Sequence, residues 1–205
     1  PDITFSQGQS AVLDATTPGA TYLWSDGSTG PTLTVNQAGP YDVDVTVGGC
    51  TSSDALQVNV TPLPVVDLGP DQTICPGSSI TLNAAVPGGT YLWSDGSTNA
   101  TLTASAIGNY SVQVTANGCT ASDAMSLGHF VLPSFNLGTD QTICAGTSAS
   151  FSANVPGATY LWNTGLNGNS IQPATAGIYW LDATTNGCTV RDSVELFVTP
   201  LPAVN

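Results

Sequence analysis

The sequence predicts an all-β protein of three tandem β-sandwich domains, and two observations support this prediction. The first is an internal repeat with a fixed period of 69 residues, since a regular period of this kind marks a repeated structural unit. The period separates the members of two triplets: Trp24, Trp93 and Trp162, and Cys50, Cys119 and Cys188. The second is a period-two alternation of apolar and polar residues, with no apolar stripe of helical period. This pattern predicts strands and no helices.

The period is long enough to form a small domain, because about 70 residues is near the lower limit for a chain that folds alone. We therefore predict domains at residues 1–67, 68–136 and 137–205. The segments between them contain proline, as TPLP or VLPS, and proline-containing linkers are semi-rigid. The three domains are accordingly expected to form an extended array.

Five short strands are predicted in each repeat. In the first repeat they are, in chain order, SAVLDA (10–15), TYLW (21–24), TLTV (32–35), YDVDVTV (41–47) and ALQVNV (55–60). Leu13 and its counterparts Leu82 and Phe151 are the inward-facing residues of the first of these strands. Clusters such as TTPGA and NQAGP separate the strands, because glycine, proline and asparagine favour turns. Strands spaced by roughly 8–12 residues are typical of a β-sandwich.

The charge balance excludes two classes of partner. The chain has 14 acidic residues against the single base Arg191, a net charge of −13. Nucleic acids and anionic membrane surfaces are both bound through lysine and arginine, so neither is expected as a partner. No apolar run of transmembrane length is present either, and we expect no membrane insertion.

The cysteines predict two disulfides. Cys75 and Cys144 occupy one position of the repeat, and Cys119 and Cys188 occupy another. The repeat therefore favours the pairs Cys75–Cys119 and Cys144–Cys188, although five cysteines permit many pairings. Each pair spans a sequence separation of 44 residues. In the chain-entropy model a disulfide that closes a loop of this size contributes about 4 kcal/mol of stability. Reduced, buried thiols are the alternative.

The first repeat lacks one of these cysteines. Ser6 stands at the position of Cys75 and Cys144, which predicts that Cys50 is an unpaired thiol. Disulfides indicate an oxidising compartment, so the chain is expected to be extracellular or at a cell surface.

Several motifs resemble a known family. LGPDQTIC at 68–75 and LGTDQTIC at 137–144, with NGCT at 117–120 and 186–189, resemble the Ig-like, PKD-like repeats of large cell-surface proteins and adhesins of Bacteroidota. The resemblance extends over all three repeats, although the first departs from it at Ser6. It implies an Ig-like sandwich, export, and roles in stalks, adhesion or gliding. It implies no catalytic residues.

The most conspicuous repeated motif is interpreted as a part of the scaffold. TYLWSDGST occurs at 21–29 and again at 90–98, whereas the third copy, TYLWNTGLN at 159–167, has lost the aspartate. Asp26 and Asp95 are therefore expected to shape a tight turn, since aspartate and glycine favour turn geometry. A metal-binding or catalytic carboxylate would be present in every copy.

No enzymatic site is predicted. His129 is the only histidine, and no nucleophile and base can be combined with it in all three repeats. The carboxylate pair Asp42 and Asp44 is not repeated, because its counterparts are Ser111 with Gln113 and Trp180 with Asp182. We expect neither a cofactor nor a metal, with one weak alternative. Four oxygen-bearing residues near the domain junctions are possible Ca²⁺ ligands, although a capped turn explains them as well: Asp67, Asp71, Asn136 and Asp140.

Trp180 departs from the repeat, because Asp42 and Ser111 stand at its position. An exposed tryptophan marks a contact surface for a sugar or a neighbouring domain, whereas cover by an adjacent loop is the structural alternative. Ser193 lies in an Asp-Ser-Val segment that resembles the short O-glycosylation signal of Bacteroidota.

These observations predict a non-enzymatic, extracellular repeat module of a bacterial surface adhesin, stalk or fibre. Its partners would be neighbouring repeats or copies of itself. The alternatives are a module that binds carbohydrate or cell-surface glycans, and a subunit of a self-assembling filament.

Overall fold

The computed structural model describes residues 1–203, and these residues form strands and loops only. Each repeat contributes six strands. Those of repeat 1 are β1 (Ile3–Ser6), β2 (Ala11–Asp14), β3 (Thr21–Trp24), β4 (Thr32–Val35), β5 (Gly39–Val47) and β6 (Cys50–Thr61). Those of repeat 2 are β7 (Gln72–Ile74), β8 (Ile80–Asn83), β9 (Thr90–Trp93), β10 (Thr101–Ala104), β11 (Gly108–Ala116) and β12 (Cys119–His129). Those of repeat 3 are β13 (Gln141–Cys144), β14 (Phe151–Ser152), β15 (Thr159–Trp162), β16 (Ser170–Ile171), β17 (Gly177–Thr185) and β18 (Cys188–Thr199).

The same pair of sheets occurs three times. In repeat 1 a four-stranded sheet has the order β1-β6-β5-β3, and β2 pairs with β4 in a second, two-stranded sheet. Repeats 2 and 3 have the same orders, β7-β12-β11-β9 with β8-β10, and β13-β18-β17-β15 with β14-β16. The predicted all-β class, with three tandem Ig-like sandwiches, is confirmed.

The two sheets of a repeat enclose one small core. In repeat 1, Leu13 and Val35 of the small sheet pack with Trp24, Val43 and Val58 of the large one. Alternation directs these residues inward, because successive side chains of a strand lie on opposite faces. In repeat 3 the corresponding cluster includes Phe151, Ile171, Trp162, Leu181 and Leu196.

The first strand of each repeat was not among the predicted strands. β1, β7 and β13 are three or four residues long, and each is an edge strand whose neighbour in the sheet is the last strand of its repeat. Each runs parallel to the end of the last strand, as Ile3–Ser6 pairs with Val58–Thr61. The remaining pairs of the large sheet of repeat 1, β3 with β5 and β5 with β6, are antiparallel.

A tight turn precedes each of the three cysteines that begin a last strand. The central residues of these turns have positive φ in every repeat: Gly48 and Gly49, Asn117 and Gly118, and Asn186 and Gly187. Two successive residues of positive φ match the right-handed twist of a hairpin and are favoured by Asn-Gly and Gly-Gly sequences. The turns therefore place Cys50, Cys119 and Cys188 at the same end of their sheets.

The described residues divide into two compact units. The first comprises residues 1–70, 81–104 and 109–126 and contains the whole of repeat 1. The second comprises residues 71–80 and 105–108 and the described chain from Leu127 onward, and it contains the described part of repeat 3. The domain limits at 67/68 and 136/137 remain predictions.

Candidate functional site

The tryptophans of the repeated TYLW motif are core residues anchored by a hydrogen bond. Trp24, Trp93 and Trp162 are 5%, 2% and 1% exposed. The indole Nε1 of each donates to a backbone carbonyl six residues later, that of Gly30, Asn99 or Gly168, at 2.8–2.9 Å. A buried indole N–H needs such a partner, and here the partner lies in the loop that follows the turn.

The aspartates of the motif form hydrogen bonds within their own turns. Asp26 Oδ1 accepts from the backbone N–H of Ser28 at 2.9 Å and from its hydroxyl at 2.6 Å, and Asp95 Oδ1 accepts from the N–H of Ser97 at 2.9 Å. These bonds to the two serines lower the pKa of both carboxyl groups, because they favour the ionised form. The carboxylates therefore stabilise the local backbone of the turn.

The third copy keeps the turn without the aspartate. The N–H of Gly165 donates to the carbonyl of Trp162 at 2.9 Å, as that of Gly27 does to Trp24 at 2.8 Å, and Gly165 keeps the positive φ of Gly27. Asn163, at the position of Ser25, donates its Nδ2 to the carbonyl of Ile178 on the neighbouring strand at 2.8 Å. The backbone bonds therefore close this turn without a carboxylate.

The disulfide of the structure corrects the predicted pairing. Cys75 is bonded to Cys188, with a Cα–Cα distance of 5.5 Å and a sequence separation of 113 residues. Cys119 and Cys144 are both free thiols, so Cys75–Cys119 and Cys144–Cys188 are not formed. The disulfide joins two successive repeats instead of closing one.

A disulfide within one repeat does not form because the two cysteine positions of a repeat lie at opposite ends of its large sheet. In repeat 3, Cys144 pairs with Thr199 at the end of β18, whereas Cys188 is the first residue of that strand. Eleven residues of strand at about 3.3 Å each separate them by roughly 36 Å. Cysteines are bridged only when their Cα atoms lie within about 7 Å. Cys75 of repeat 2 and Cys188 of repeat 3, by contrast, lie close enough to be bridged, with 5.5 Å between their Cα atoms.

A second junction has the same arrangement without the covalent bond. The hydroxyl of Ser6, at the end of β1, contacts the thiol of Cys119, and the two are again 113 residues apart. Cys119 is 3% exposed and also lies 3.7 Å from the carbonyl oxygen of Thr61. Cys50 and Cys144 are exposed free thiols. Among the described residues Cys50 therefore forms no disulfide, and it occupies the position in repeat 1 that Cys119 occupies in repeat 2.

A further set of junction residues was missed by the sequence analysis. Asp123 Oδ2 accepts the backbone N–H of Leu68 at 2.7 Å, and Asp192 Oδ2 accepts that of Leu137 at 2.8 Å. Both leucines belong to the segments that lead into repeats 2 and 3, and each is only 7% exposed. A signal for these acids exists in the sequence, since Asp54, Asp123 and Asp192 recur with the period of the repeat.

The weak Ca²⁺ candidates take part in the same local structure. Asp67 and Asn136 each accept the N–H of the glycine two residues later, at 2.8 and 2.6 Å, and Asp140 accepts the N–H of Glu195 at 2.9 Å. Asp71 is exposed. Within residues 1–203, no group of three or more His, Cys, Asp or Glu side chains is arranged to hold a metal ion.

Trp180 is half-buried on the outer face of β17, where the single base of the chain covers it. The guanidinium carbon of Arg191 lies 3.5 Å from the centroid of the Trp180 ring. Arg191 also forms a two-pronged bond with Asp182 across the strand pair, with both N–O distances at 2.7 Å. Ser193, the possible O-glycosylation site, is exposed and pairs directly with Trp180 across the strands.

Removal of this guanidinium is expected to change both of its neighbours. The hydrogen bond and charge of Arg191 lower the pKa of Asp182, so Arg191→Gln should raise that pKa towards the ordinary value of about 3.9. Because the pKa of Asp182 is lower in the folded than in the unfolded protein, its ionised carboxylate stabilises the fold at pH values above the unfolded pKa. This contribution is lost as the pH falls below about 4. A carboxyl NMR titration measures the shift, and acrylamide quenching measures the exposure of the Trp180 ring.

Arg191→Lys is the matched control for this prediction. It keeps the charge but lacks the planar fork of the guanidinium, so we expect an intermediate pKa. An unchanged Asp182 pKa in Arg191→Gln would contradict the assignment.

No helix that could cross a lipid bilayer occurs in the part of the chain that the structure describes. No family model and no curated protein matches the sequence.

Solved structures of tandem immunoglobulin domains resemble the chain. The titin I-band fragment I67–I69 is 14% identical with a TM-score of 0.41, and the match covers 97% of this chain and 95% of the fragment. Extracellular domains 3–5 of Drosophila OTK are 13% identical with a TM-score of 0.37, covering 97% of this chain and 94% of that one. Sidekick-1 immunoglobulin domains 1–5 are 16% identical with a TM-score of 0.35; the match covers 98% of this chain, which spans 57% of that structure.

Proposed function

We propose that the chain is a non-enzymatic structural module of an extracellular repeat protein, of the kind that builds bacterial surface adhesins, stalks or fibres. The observation that supports this proposal best is the pairing of the first and last strands of each repeat. β1 runs parallel to β6, β7 to β12, and β13 to β18. These are the strands through which tension enters and leaves a repeat.

The parallel direction determines how such a repeat resists force. A pull on the two ends of the chain draws β1 and the end of β6 in opposite directions along their length. The hydrogen bonds between the strands, which are evenly spaced in a parallel pair, are then loaded together. In an antiparallel hairpin pulled at its ends, the bonds break one after another. The repeat is therefore suited to bearing tension.

The disulfide between repeats adds a limit to extension. A pull on the two ends of the chain passes directly from Cys75 to Cys188, so the 113-residue segment between them bears no load. A fully extended chain measures up to about 3.6 Å per residue, and the disulfide therefore withholds about 400 Å of contour length. This effect requires an oxidising compartment, which agrees with export to the cell surface.

The surface chemistry suits an exposed extracellular location. A net charge of −13 keeps the protein soluble, and the single Arg191 leaves one site for a trypsin-like protease. That site lies within β18, whose pairing with β17 extends from Cys188 to Leu196. A paired strand does not enter a protease active site until the sheet opens.

Single-molecule stretching between handles fused to the two ends tests this function. In the oxidised protein we expect a force peak from repeat 1, whose strand pair lies outside the bypassed segment, and a total extension shorter by about 400 Å than in the reduced protein. The reduced protein should give peaks from all three repeats, because the strand pairs of repeats 2 and 3 are then loaded as well. The variant Cys75→Ser, kept under oxidising conditions, should extend as far as the reduced protein. Cys50→Ser is the matched control and should behave as the wild type. Extension without force peaks, with the disulfide intact, would reject the mechanical role.

Carbohydrate binding is the second candidate, and the half-exposed ring of Trp180 favours it. Aromatic rings at surfaces stack on sugars, but here the guanidinium of Arg191 lies over the ring. A glycan array probed with the wild type and with Trp180→Ala tests for carbohydrate binding through this ring. Binding that is lost in the variant would support the second candidate.

A further inference from the structure

The outer face of the large sheet of repeat 3 is apolar, whereas the same face of the other two repeats is polar. Ile178 on β17 and Phe197 on β18 point outward and are 60% and 45% exposed. Trp180 lies on this face two residues after Ile178, since successive residues of one face are two apart. The counterparts of these three residues are Asn109, Ser111 and Gly128 in repeat 2, and Pro40, Asp42 and Asn59 in repeat 1.

Adjoining repeats do not cover this face. Repeat 2 has a repeat on either side of it in the chain, and yet Leu92, Asn109 and Gln113 on its outer face are exposed. The junctions use other parts of a repeat, namely the end of the first strand, the start of the last strand and the linker leucine. A molecule that covers the apolar face of repeat 3 is therefore separate from the row of repeats.

Two opposite charges lie on β18 beside the apolar residues. Arg191 and Glu195 stand on the same face, two residues on either side of Ser193. Four residues of strand separate them by about 13 Å, so they do not pair within one molecule. Asp182 accepts two of the five N–H groups of Arg191. Among the described residues no ion pair includes Glu195, so its carboxylate is open to a base of a partner.

This arrangement of charges is self-complementary. A two-fold axis that crosses the strands over Ser193 places Arg191 of each molecule opposite Glu195 of the other. The same axis places Trp180 opposite its own equivalent, because Trp180 pairs with Ser193 across the strands. An interface of two-fold symmetry joins the same patch of both molecules. Repeats 1 and 2 contain no lysine or arginine, so their outer faces have no base for such a pairing.

We propose that the outer face of repeat 3 binds the same face of a second molecule of this chain, with Trp180 at the centre and an Arg191–Glu195 pair on either side. The inference rests on the proposed function as a module of an extracellular repeat protein, and it adds the partner, namely a neighbouring molecule that lies alongside.

The expected pair is weak. Three strands about 4.8 Å apart and five residues of about 3.3 Å give a face of only a few hundred Å², and interfaces of this size are transient. Molecules held on one surface have a high effective concentration, however, and weak pairing then suffices to align them.

Sedimentation equilibrium over a range of protein concentrations tests the pairing. Cys50→Ser and Cys144→Ser remove the exposed thiols and hence random disulfides, and salt at about 0.15 M screens the net charge beyond a distance of about 8 Å. We expect an equilibrium between monomer and dimer that depends on concentration.

The apolar contribution is tested with residues that the chain itself has at these positions. Ile178→Asn combined with Trp180→Ser reproduces the face of repeat 2, and it should weaken the association at least about tenfold, as loss of a central aromatic residue does in other interfaces. Leu92→Ser, which removes an exposed leucine from the outer face of repeat 2, is the matched control and should leave the association unchanged.

Reversal of the two charges gives the sharper test. Arg191→Glu places acid opposite acid, and Glu195→Arg places base opposite base, so each variant alone should remain monomeric. A mixture of the two should form a heterodimer, because every residue 191 then faces the opposite charge at residue 195 of its partner. Recovery in the mixture also shows that both variants are folded.

A wild type that stays monomeric at every concentration would overturn the proposal, and so would a mixture of the charge variants that does not associate. Sugar binding by a monomeric protein, lost in Trp180→Ala, would assign the face to a glycan instead. The mechanical role is judged separately, because the stretching experiment is made on single molecules, in which pairing between molecules has no part.

Discussion

Replacement of Ser6 by cysteine is expected to join repeats 1 and 2 by a second disulfide. The Ser6 hydroxyl already contacts the thiol of Cys119, and the separation of 113 residues is that of the native disulfide. In the chain-entropy model a loop of this length contributes about 4–5 kcal/mol of stability. Ser6→Cys should therefore raise the urea midpoint of unfolding under oxidising conditions and leave it nearly unchanged when the protein is reduced.

Peptide mapping checks which cysteines are joined. Cleavage before aspartate places every cysteine in a peptide of its own. The native disulfide links peptide 71–94 to peptide 182–191, and Ser6→Cys should add a link between 2–13 and 95–122. The pairing within repeats would instead link 71–94 to 95–122 and 140–181 to 182–191.

The controls for this prediction separate the covalent bond from the loss of the hydroxyl. Ser6→Ala removes the hydroxyl alone, and Ser6→Cys combined with Cys119→Ala removes the partner thiol. Neither should gain stability on oxidation. Absence of the link between 2–13 and 95–122, while the native link forms, would contradict the geometry of the junction.

Truncation of the buried tryptophan of repeat 3 is expected to have an effect of similar size. Trp162 is 1% exposed, packs with Phe151 and Leu181, and donates its indole N–H to Gly168. Trp162→Ala should cost about 3–5 kcal/mol, through lost burial and the cavity that remains. For a domain of about 70 residues this is a large share of the available stability.

Cleavage by trypsin reports this loss in repeat 3 alone. The chain contains no lysine and only Arg191, and that residue lies in β18, opposite Asp182. Because the strand must open before it is cut, the rate follows the population of the open form. We expect Trp162→Ala to be cleaved more than about 100-fold faster than the wild type. Leu161→Ala, on the exposed face of the same strand, is the matched control, and equal rates for the two variants would refute the role of Trp162.

Much of the fold could be predicted from local pattern. The alternation in SAVLDA, TYLW and YDVDVTV placed Leu13, Trp24 and Val43 inside, and all three are buried. The short first strands were missed, because β1, β7 and β13 are defined by their parallel partners and not by their own three or four residues. A pattern of local residues contains no information on such a distant partner.

The candidate sites were less predictable. Trp180 was expected on the outer face, and it lies there, but its contact with Arg191 depends on the register of β17 against β18. The role of Asp123 and Asp192 was missed, because each binds a backbone N–H that lies 55 residues away in sequence. A backbone N–H has no side-chain identity, so no residue type in the sequence marks it as a partner.

The sequence by itself determined that the protein is a series of three β-sandwiches, since a period of 69 residues and alternating strands allow few other folds. Only the tertiary structure decided how the repeats are joined. A disulfide within one repeat and a disulfide to the next repeat are both consistent with the period of 69 residues. They differ only in which ends of the sheets meet. The length of the last strand holds Cys144 and Cys188 at opposite ends of one sheet, and the junction brings Cys75 and Cys188 together.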